Sequence, residues 1–548
     1  MSSPPFDSQA TTPTRTSFDQ PPPQKDQNDR LETIPSALAA DKENDDDVPP
    51  LSARETAERE LELEAGYGTA SREVIEKAQG KDPNLVEWDG PDDPENPQNF
   101  SVAKKWVITM LLSSLTIWIT FATSVFSQAT VVTAELYHVS TEVTTLSTSL
   151  PLFGFCIGPL VWGPFSELYG RKTPLFFGYA VFAIFQIPVA VAQNLQTILV
   201  ARFFVGLFGC APLAVIGGTL ADIWDPVDRG VAVALFSGAT FGGPTFGPII
   251  GGFIVESHLG WRWTAWITLI ASSFFMIIAF IFVPETYAPV LLQRRAARLR
   301  VETKNWAYHA ILDENPPKMG DIVTRYLLRP FQMLILEPIL LLITIYLALI
   351  YGILYLTFEA YPISFQEVRH WTHAGVAALP FLSILVGVFI GGAIIIFVTK
   401  TRFARKMKKH GRVVPEERLP PMIIGSILLP IGLFWFGWTS NENITWVPQV
   451  LAGVPIGAGI LVIFMQGLNY IIDVYLMFAN SAIAANTLVR SALGGAFPLF
   501  ATQMYTKLGV DWASSLLGFL TLAMVPIPIL FYIYGAKLRS MSRFNPRL

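Results

Sequence analysis

The chain predicts an all-α membrane protein, with twelve transmembrane helices arranged as two six-helix bundles under pseudo-two-fold symmetry. Three observations carry this prediction. Of 548 residues 51% are hydrophobic and only 15% charged, and the mean hydropathy is +0.43, a balance that a water-soluble surface does not sustain. The apolar residues gather into twelve runs of about 20, the length that crosses a roughly 30 Å hydrocarbon core. The last six runs also carry features of the first six, the mark of an internally repeated transporter.

In chain order, residues 1–104 read as a cytoplasmic N-terminal tail. Its first 87 or so residues are rich in Pro, Ser, Asp, Glu and Gln, with the acidic run DKENDDD at 41–47, and cannot bury enough apolar surface to fold. WDGPDDPENPQNF (88–100) follows, where prolines and Asp/Asn residues force turns along the cytoplasmic surface. The N-terminal bundle, 105–283, holds spans near 106–127, 144–162, 174–192, 198–221, 230–255 and 264–283. The C-terminal bundle, 334–535, holds spans near 335–358, 376–397, 422–438, 447–470, 482–504 and 513–534, the tenth and eleventh being least clearly separated. A short cytoplasmic tail, 536–548, ends the chain.

Lys and Arg set the orientation. Arg171, Lys172, Arg229, the arginines at 294–300, the basic cluster at 400–412 and Lys537 to Arg547 fall on one side, so both termini are cytoplasmic. The linker 284–333 opens with PETYAPVLLQRRAARLR, an amphipathic helix whose arginines read as solvated or lipid-facing. One outer loop carries the glycosylation sequon at Asn443, close to the bilayer. Cys156 and Cys210, the only cysteines, lie in apolar spans and support neither a disulfide framework nor a zinc site.

The repeat rests on two anchors. Asp222-Ile223-Trp224 after the fourth span is answered by Asp473-Val474-Tyr475 after the tenth, with Gly206 opposite Gly457 on the same offset. Leu259-Gly260 before Trp263 is answered by Leu508-Gly509 before Trp512. The fifth span holds a further signal, GGPTFGPIIGG at 242–252. Ala239, Gly243, Gly247 and Gly251 recur every four residues and share one nearly bare stripe, while Pro244 and Pro248 each delete a backbone donor. Such a helix packs closely and bends, and Gly252 closes the motif.

GPFSELYGRKTP (163–174) places Gly163 and Gly170 where a tight cytoplasmic turn is needed, with Glu167, Arg171 and Lys172 beside it. This stretch resembles the loop signature of the major facilitator superfamily. Arg202 to Gly206 resembles that family's second motif, and GGPTFGPIIGG its antiporter motif. WDGPDDPENPQN, PETYAPVLL, PEERLPP (415–421) and the run 481–509 are similar to the fungal twelve-span drug:proton antiporters, including a polyamine-transporter-like branch. Three positions depart from the pattern: Glu167 stands for the usual Asp, Leu168 for a basic residue, and Ala234 for the first Gly of the antiporter motif.

The resemblance implies a fifth span packed on the C-terminal bundle beside the eighth. It implies a cytoplasmic gate in which Arg171 pairs with Asp222 and Glu167 nears the eleventh span, with Asp473 as the second-half counterpart. It also assigns Arg202 to proton coupling. Read from the residues alone, Arg202 either snorkels outward or binds carbonyls inside. Glu359 is either a buried proton carrier or a solvated interfacial carboxylate. Arg490 either faces the cavity or pairs with Asp473.

No HExxH, phosphate loop, nucleophile elbow or paired-cysteine motif is present, so no enzyme is predicted, nor any cofactor or metal. The implied function is proton-coupled export of small amphipathic or apolar organic compounds by alternating access. Uptake by the same fold, a polyamine or organic-acid carrier, and a non-transporting membrane sensor are the alternatives. The expected partners are a small-molecule substrate, protons and the bilayer, without nucleic acid, for a monomer in the plasma membrane.

Overall fold

The computed structural model describes residues 82, 84–314, 327–410 and 414–544. The acidic run, the remainder of the tail before them, part of the central linker, and Arg412 and Arg547 lie outside these residues. Ten helices cross singly: α1 (Val102–Ser124), α2 (Thr141–Leu168), α3 (Lys172–Ala190), α4 (Leu195–Ile223), α5 (Pro226–Glu256), α6 (Trp263–Phe282), α7 (Pro338–Pro362), α8 (Phe381–Val398), α9 (Leu419–Trp438) and α10 (Trp446–Tyr475). The last apolar helical stretch, Ala479–Ser540, has 62 residues, far more than the roughly 20 that one crossing needs. It breaks at Gly509, whose φ of 77° and ψ of 160° are open to glycine and not to other residues. The two arms, α11 (479–508) and α12 (510–540), bring the crossings to twelve. The tenth and eleventh helices, expected to be poorly separated, part at a short 3₁₀ turn, Leu476–Phe478.

Local chemistry sets the helix ends. Asn194 caps α4 by accepting the Thr197 N–H at 2.8 Å. Gly170, at φ 86°, supplies the left-handed residue between α2 and α3. Gly163 does not belong to that turn: α2 runs on to Leu168, and Ser166 Oγ donates to the Gly163 carbonyl at 2.8 Å within it. One glycine suffices because a single left-handed residue reverses the chain.

Packing repeats as the sequence anchors do. In the first bundle α1 packs on α5, and α4 on α2 and α3; in the second α7 packs on α11, and α10 on α8 and α9. Gly206 sits against the Pro151 backbone of α2, and Gly457 against the Ile384 backbone of α8, so the two glycines fill equivalent places. The bundles meet through α2 against α11 and α5 against α8, two interfaces that exchange under the same symmetry. α7 and α10 are buried almost all round, whereas α6 turns Ile270, Phe274, Ile277 and Ile281 outward as a lipid-facing stripe. Three polar side chains within the first span are satisfied locally: Thr116, Thr120 and Thr123 bond carbonyls one turn back.

Two expectations are corrected. α5 does lie beside α8, but its glycine stripe faces the other way. A Cβ at Gly243 would meet the Ile117 carbonyl at 2.5 Å, one at Gly247 the Val125 nitrogen at 2.8 Å, and one at Gly251 the Val125 carbonyl at 2.5 Å, all on the first span. Gly252 and Gly242, off that stripe, reach Gly375 and Leu385 of the C-terminal half, and Pro248 lies within the helix. Close seating of α1 needs bare backbone all along the stripe, and the contact with the C-terminal half needs it at Gly252, where a Cβ would meet the Gly375 backbone at 2.8 Å. Second, the basic helix Ala288–Thr303 is not simply solvated or lipid-facing on its arginine side: Arg294 and Arg298 stay exposed, but most of the arginines carry acidic partners. Arg295 pairs with Asp89 and, at 2.6 Å, with Asp93; Arg298 reaches Glu95 at 2.7 Å, and Arg300 reaches Asp313 at 2.5 Å. The WDGPDDPENPQN hook is thus clamped onto this helix. Val86 N–H also donates to the His309 carbonyl at 2.9 Å, extending the attachment.

Candidate functional site

A polar line crosses the interior where the bundles meet. Arg202 is 1% exposed, and all its nitrogens donate to carbonyls: Nε to Ser147 at 2.7 Å, Nη1 to Ala122 at 2.6 Å and Nη2 to Thr123 at 3.1 Å. The snorkelling reading therefore falls. Ser147 has a free carbonyl because its α-helical partner would be Pro151, which has no N–H. Ala122 and Thr123 precede the 3₁₀ turn Val125–Ala129, where the α-helical bonding pattern changes. Arg202 is the donor that these interruptions require, and its guanidinium also rests 5.2 Å from the Phe126 ring centre.

Thr123 links this centre to the other bundle. Its Oγ1 shares a 3.0 Å hydrogen bond with Tyr355 Oη, and Tyr351 Oη lies 3.5 Å further on. Tyr351, Tyr355 and Glu359 stand at i, i+4 and i+8 on α7, hence on one stripe. Glu359 is half-buried, and its Oε1 is buried with no hydrogen-bond partner among the described residues, which does not fit a solvated carboxylate. Arg490, on α11, places its guanidinium 4.9 Å from the Tyr351 ring centre and 4.8 Å from that of Phe464. It does not pair with Asp473.

Asp473 instead accepts from Arg418 Nε at 2.8 Å, both side chains being 8% exposed. The first bundle carries the equivalent pair, Arg171 Nε to Asp222 at 3.0 Å. Burial by itself would lower the Arg171 pKa, but the adjoining Asp222 carboxylate outweighs it and the net shift is upward. Glu285, just past α6, accepts the Arg171 N–H at 2.7 Å and the Lys172 N–H at 3.2 Å, anchoring the turn. Its counterpart reverses the polarity: Arg539, near the end of α12, donates to Glu416 at 2.8 Å in the turn before α9. Glu167 reaches across the bundles, accepting from Asn480 Nδ2 of α11 at 2.9 Å. At the opposite end of the bundles the Glu256 carboxylate, ending α5, accepts the Ala374 and Gly375 N–H groups ahead of α8. The bundles therefore touch at both ends and in the middle.

Sequence reasoning misses Arg418, Thr123, Tyr351, Tyr355 and Asn480. The offset that maps Asp222 onto Asp473 maps Arg171 onto Met422, four residues past Arg418, so a change in loop length hides the pair. The tyrosine stripe is legible as a period of four in YGILYLTFE, but within so apolar a run it reads as lipid-facing surface. Asn443 lies exposed in the loop between α9 and α10.

Residues 107–499 match the family model of the Major Facilitator Superfamily. The chain belongs to that superfamily. Similar members include a citrinin biosynthesis cluster MFS transporter of Monascus ruber, 66% identical over 86% of this chain and 94% of that one. An ascochitine biosynthesis cluster MFS transporter of Didymella fabae is 62% identical over 85% and 90%, and a cercosporin MFS transporter of Cercospora nicotianae 48% over 87% and 93%. Among solved structures, the MFS proton:xylose symporter XylE superposes with a TM-score of 0.55 at 15% identity, covering 80% of this chain and 96% of its own, a likeness of fold. This major facilitator protein is a multi-pass membrane transporter and not an enzyme.

Proposed function

We propose that the protein is a proton-driven exporter of small amphipathic or apolar organic metabolites, acting as a monomer in the plasma membrane. The observation that carries this reading is the line Arg202–Thr123–Tyr355–Tyr351–Arg490, which runs from one bundle to the other with Glu359 one turn beyond Tyr355 on α7. Intramembrane ionisable groups are costly and are kept where ions or substrates pass. Glu359 is a carboxylate within a span with a buried, unpartnered oxygen among the described residues, so it is the group we assign to carrying the proton. Arg202, held by carbonyls of the first and second spans, is the fixed positive charge that biases where the proton resides. Protonation of Glu359 removes its charge and with it the cost of burying it, which lets the outer half of α7 change its packing.

The cytoplasmic pairs Arg171–Asp222 and Arg418–Asp473, with Glu167–Asn480, are assigned as the inner gate, and Glu256 against the start of α8 as the outer contact. Relatives named for toxin and metabolite biosynthesis clusters support the export direction, because a compound made inside the cell leaves through such a protein. Two guanidiniums, Arg202 and Arg490, against the one carboxylate of Glu359 along this line weigh against a polyamine cargo. The experiment is an efflux panel in cells lacking or carrying the protein. Energy-dependent loss of at least one amphipathic compound, abolished by an uncoupler, is expected; retention unchanged across chemically distinct compounds contradicts export.

A further inference from the structure

We infer that the cargo of this transporter carries an anionic group, bound at Arg490 beside Tyr351 and Phe464. The inference deepens the export reading and rests on it. Arg490 and Arg202 are both guanidiniums within membrane-spanning helices, but they differ in how they are satisfied. Arg202 spends its donors on three carbonyls. Arg490 Nε is buried, and among the described residues it has no hydrogen-bond partner and its guanidinium no ion pair. Two rings, stacked on each other with centres 6.1 Å apart, meet it at 4.9 and 4.8 Å, supplying attraction to the cation without neutralising it.

The arrangement is held in place. Gly494, one turn along α11, lacks the Cβ that would strike the Tyr351 ring at 2.7 Å, so the ring lies flat against this helix. The other neighbour in line, Asn486, one turn the other way, keeps its Oδ1 without a partner among the described residues while its amide points to Thr344 at 3.4 Å. Arg490 is half-buried, so part of its side chain remains open at the bundle interface. A carboxylate or other oxyanion offers the planar, charged acceptor that a guanidinium fork takes two-handed. Tyr351 and Phe464 come from α7 and α10 and are both buried, so an anionic group at Arg490 sits at the junction of three helices of the C-terminal bundle.

The test uses the full-length protein in lipid nanodiscs and a pair of probes differing in charge alone, 2-naphthalenesulfonate and 2-naphthalenesulfonamide, together with their one-ring and three-ring analogues. The wild type should bind at least one sulfonate about tenfold or more tightly than its neutral sulfonamide, a factor typical of one ion pair in a partly desolvated site. Arg490→Gln should bring the ratio to about one, and Arg490→Lys should keep part of it, each variant being checked for monodispersity and helix content. A ratio near one in the wild type, a ratio unchanged in Arg490→Gln, or no sulfonate bound at millimolar concentration overturns the inference. Efflux of neutral compounds that ignores Arg490→Gln sinks the anion and leaves export standing. Sulfonate binding that needs Arg490 in a protein that expels nothing does the reverse.

Discussion

Arg418 bonds Asp473 at 2.8 Å where α9 begins and α10 ends, and Arg171 bonds Asp222 at 3.0 Å where α3 begins and α4 ends. One ion pair has been built twice. Each is largely shielded from water, so removing one partner leaves the other buried and uncompensated, at a cost of about 3–5 kcal/mol.

Charge swaps test the two pairs. Asp222→Arg or Arg171→Asp alone should lower the melting temperature and slow efflux by about tenfold or more, and the double swap should recover much of both. Arg418→Asp and Asp473→Arg should behave alike. Thermal stability and efflux of the six proteins are the readout; no recovery in either double swap contradicts pairing.

The glycine stripe of α5 gives an opposite pair of outcomes. Gly247 seats α1, so Gly247→Leu should reduce insertion and transport together, whereas Gly242, with Leu385 Cδ1 at 3.6 Å, faces α8. Gly242→Leu should leave the protein at the membrane and impair transport, because it adds bulk only where the bundles slide. Surface abundance and efflux measured in the same cells separate the two.

The hook clamped onto the basic helix should respond to pH through His309 and not through Asp93. The Asp89 N–H, then Arg295 and the Glu95 N–H, push the Asp93 carboxyl down to about 2. Its contribution is therefore present above the ordinary carboxylate pKa and lost only as pH falls through about 2, so it is constant across roughly pH 5–9. His309 is shifted the other way, raised by the Ala307 carbonyl and then by Glu314. Its contribution is full below the usual histidine value and fades as pH rises through the raised one. Limited trypsin cleavage near Lys104 should be faster at about pH 9 than at about pH 6 in the wild type, relative to an unfolded peptide. His309→Gln should flatten that difference, and Asp93→Asn should speed cleavage equally at both.

Tyr355→Phe removes the hydroxyl shared with Thr123 while keeping the ring. Export driven by a proton gradient should fall by several-fold, in line with about 1 kcal/mol for one such bond, while probe binding at Arg490 stays within about twofold. Equal loss of binding and export would place Tyr355 in the substrate contact alone.

Much of the fold is legible in the sequence, for identifiable reasons. Bilayer thickness fixes span length, so the crossings can be counted, and even the α11–α12 break can be placed near Gly509. The Arg171–Asp222 pair can be named from the family resemblance, which brings those two span ends together. The direction of the glycine stripe cannot, since helical periodicity tells which residues share a face and not what the face meets. Nor can the clamp on Arg295 and Arg298, whose acidic partners lie 202 and 203 residues earlier in the chain. Arg202 looks able to snorkel because hydropathy does not register that Pro151 orphans the Ser147 carbonyl.

The most direct measurement is proton-coupled efflux by Glu359→Gln. Whole cells carrying wild type or variant at equal surface abundance are loaded with the compounds that the wild type expels, and external alkalinisation accompanying efflux is recorded with and without an uncoupler. Glu359→Gln should retain binding but lose both the alkalinisation and the uncoupler-sensitive efflux. Coupled efflux undiminished in that variant would contradict Glu359 as the proton carrier and, with it, the account of how the two bundles are driven.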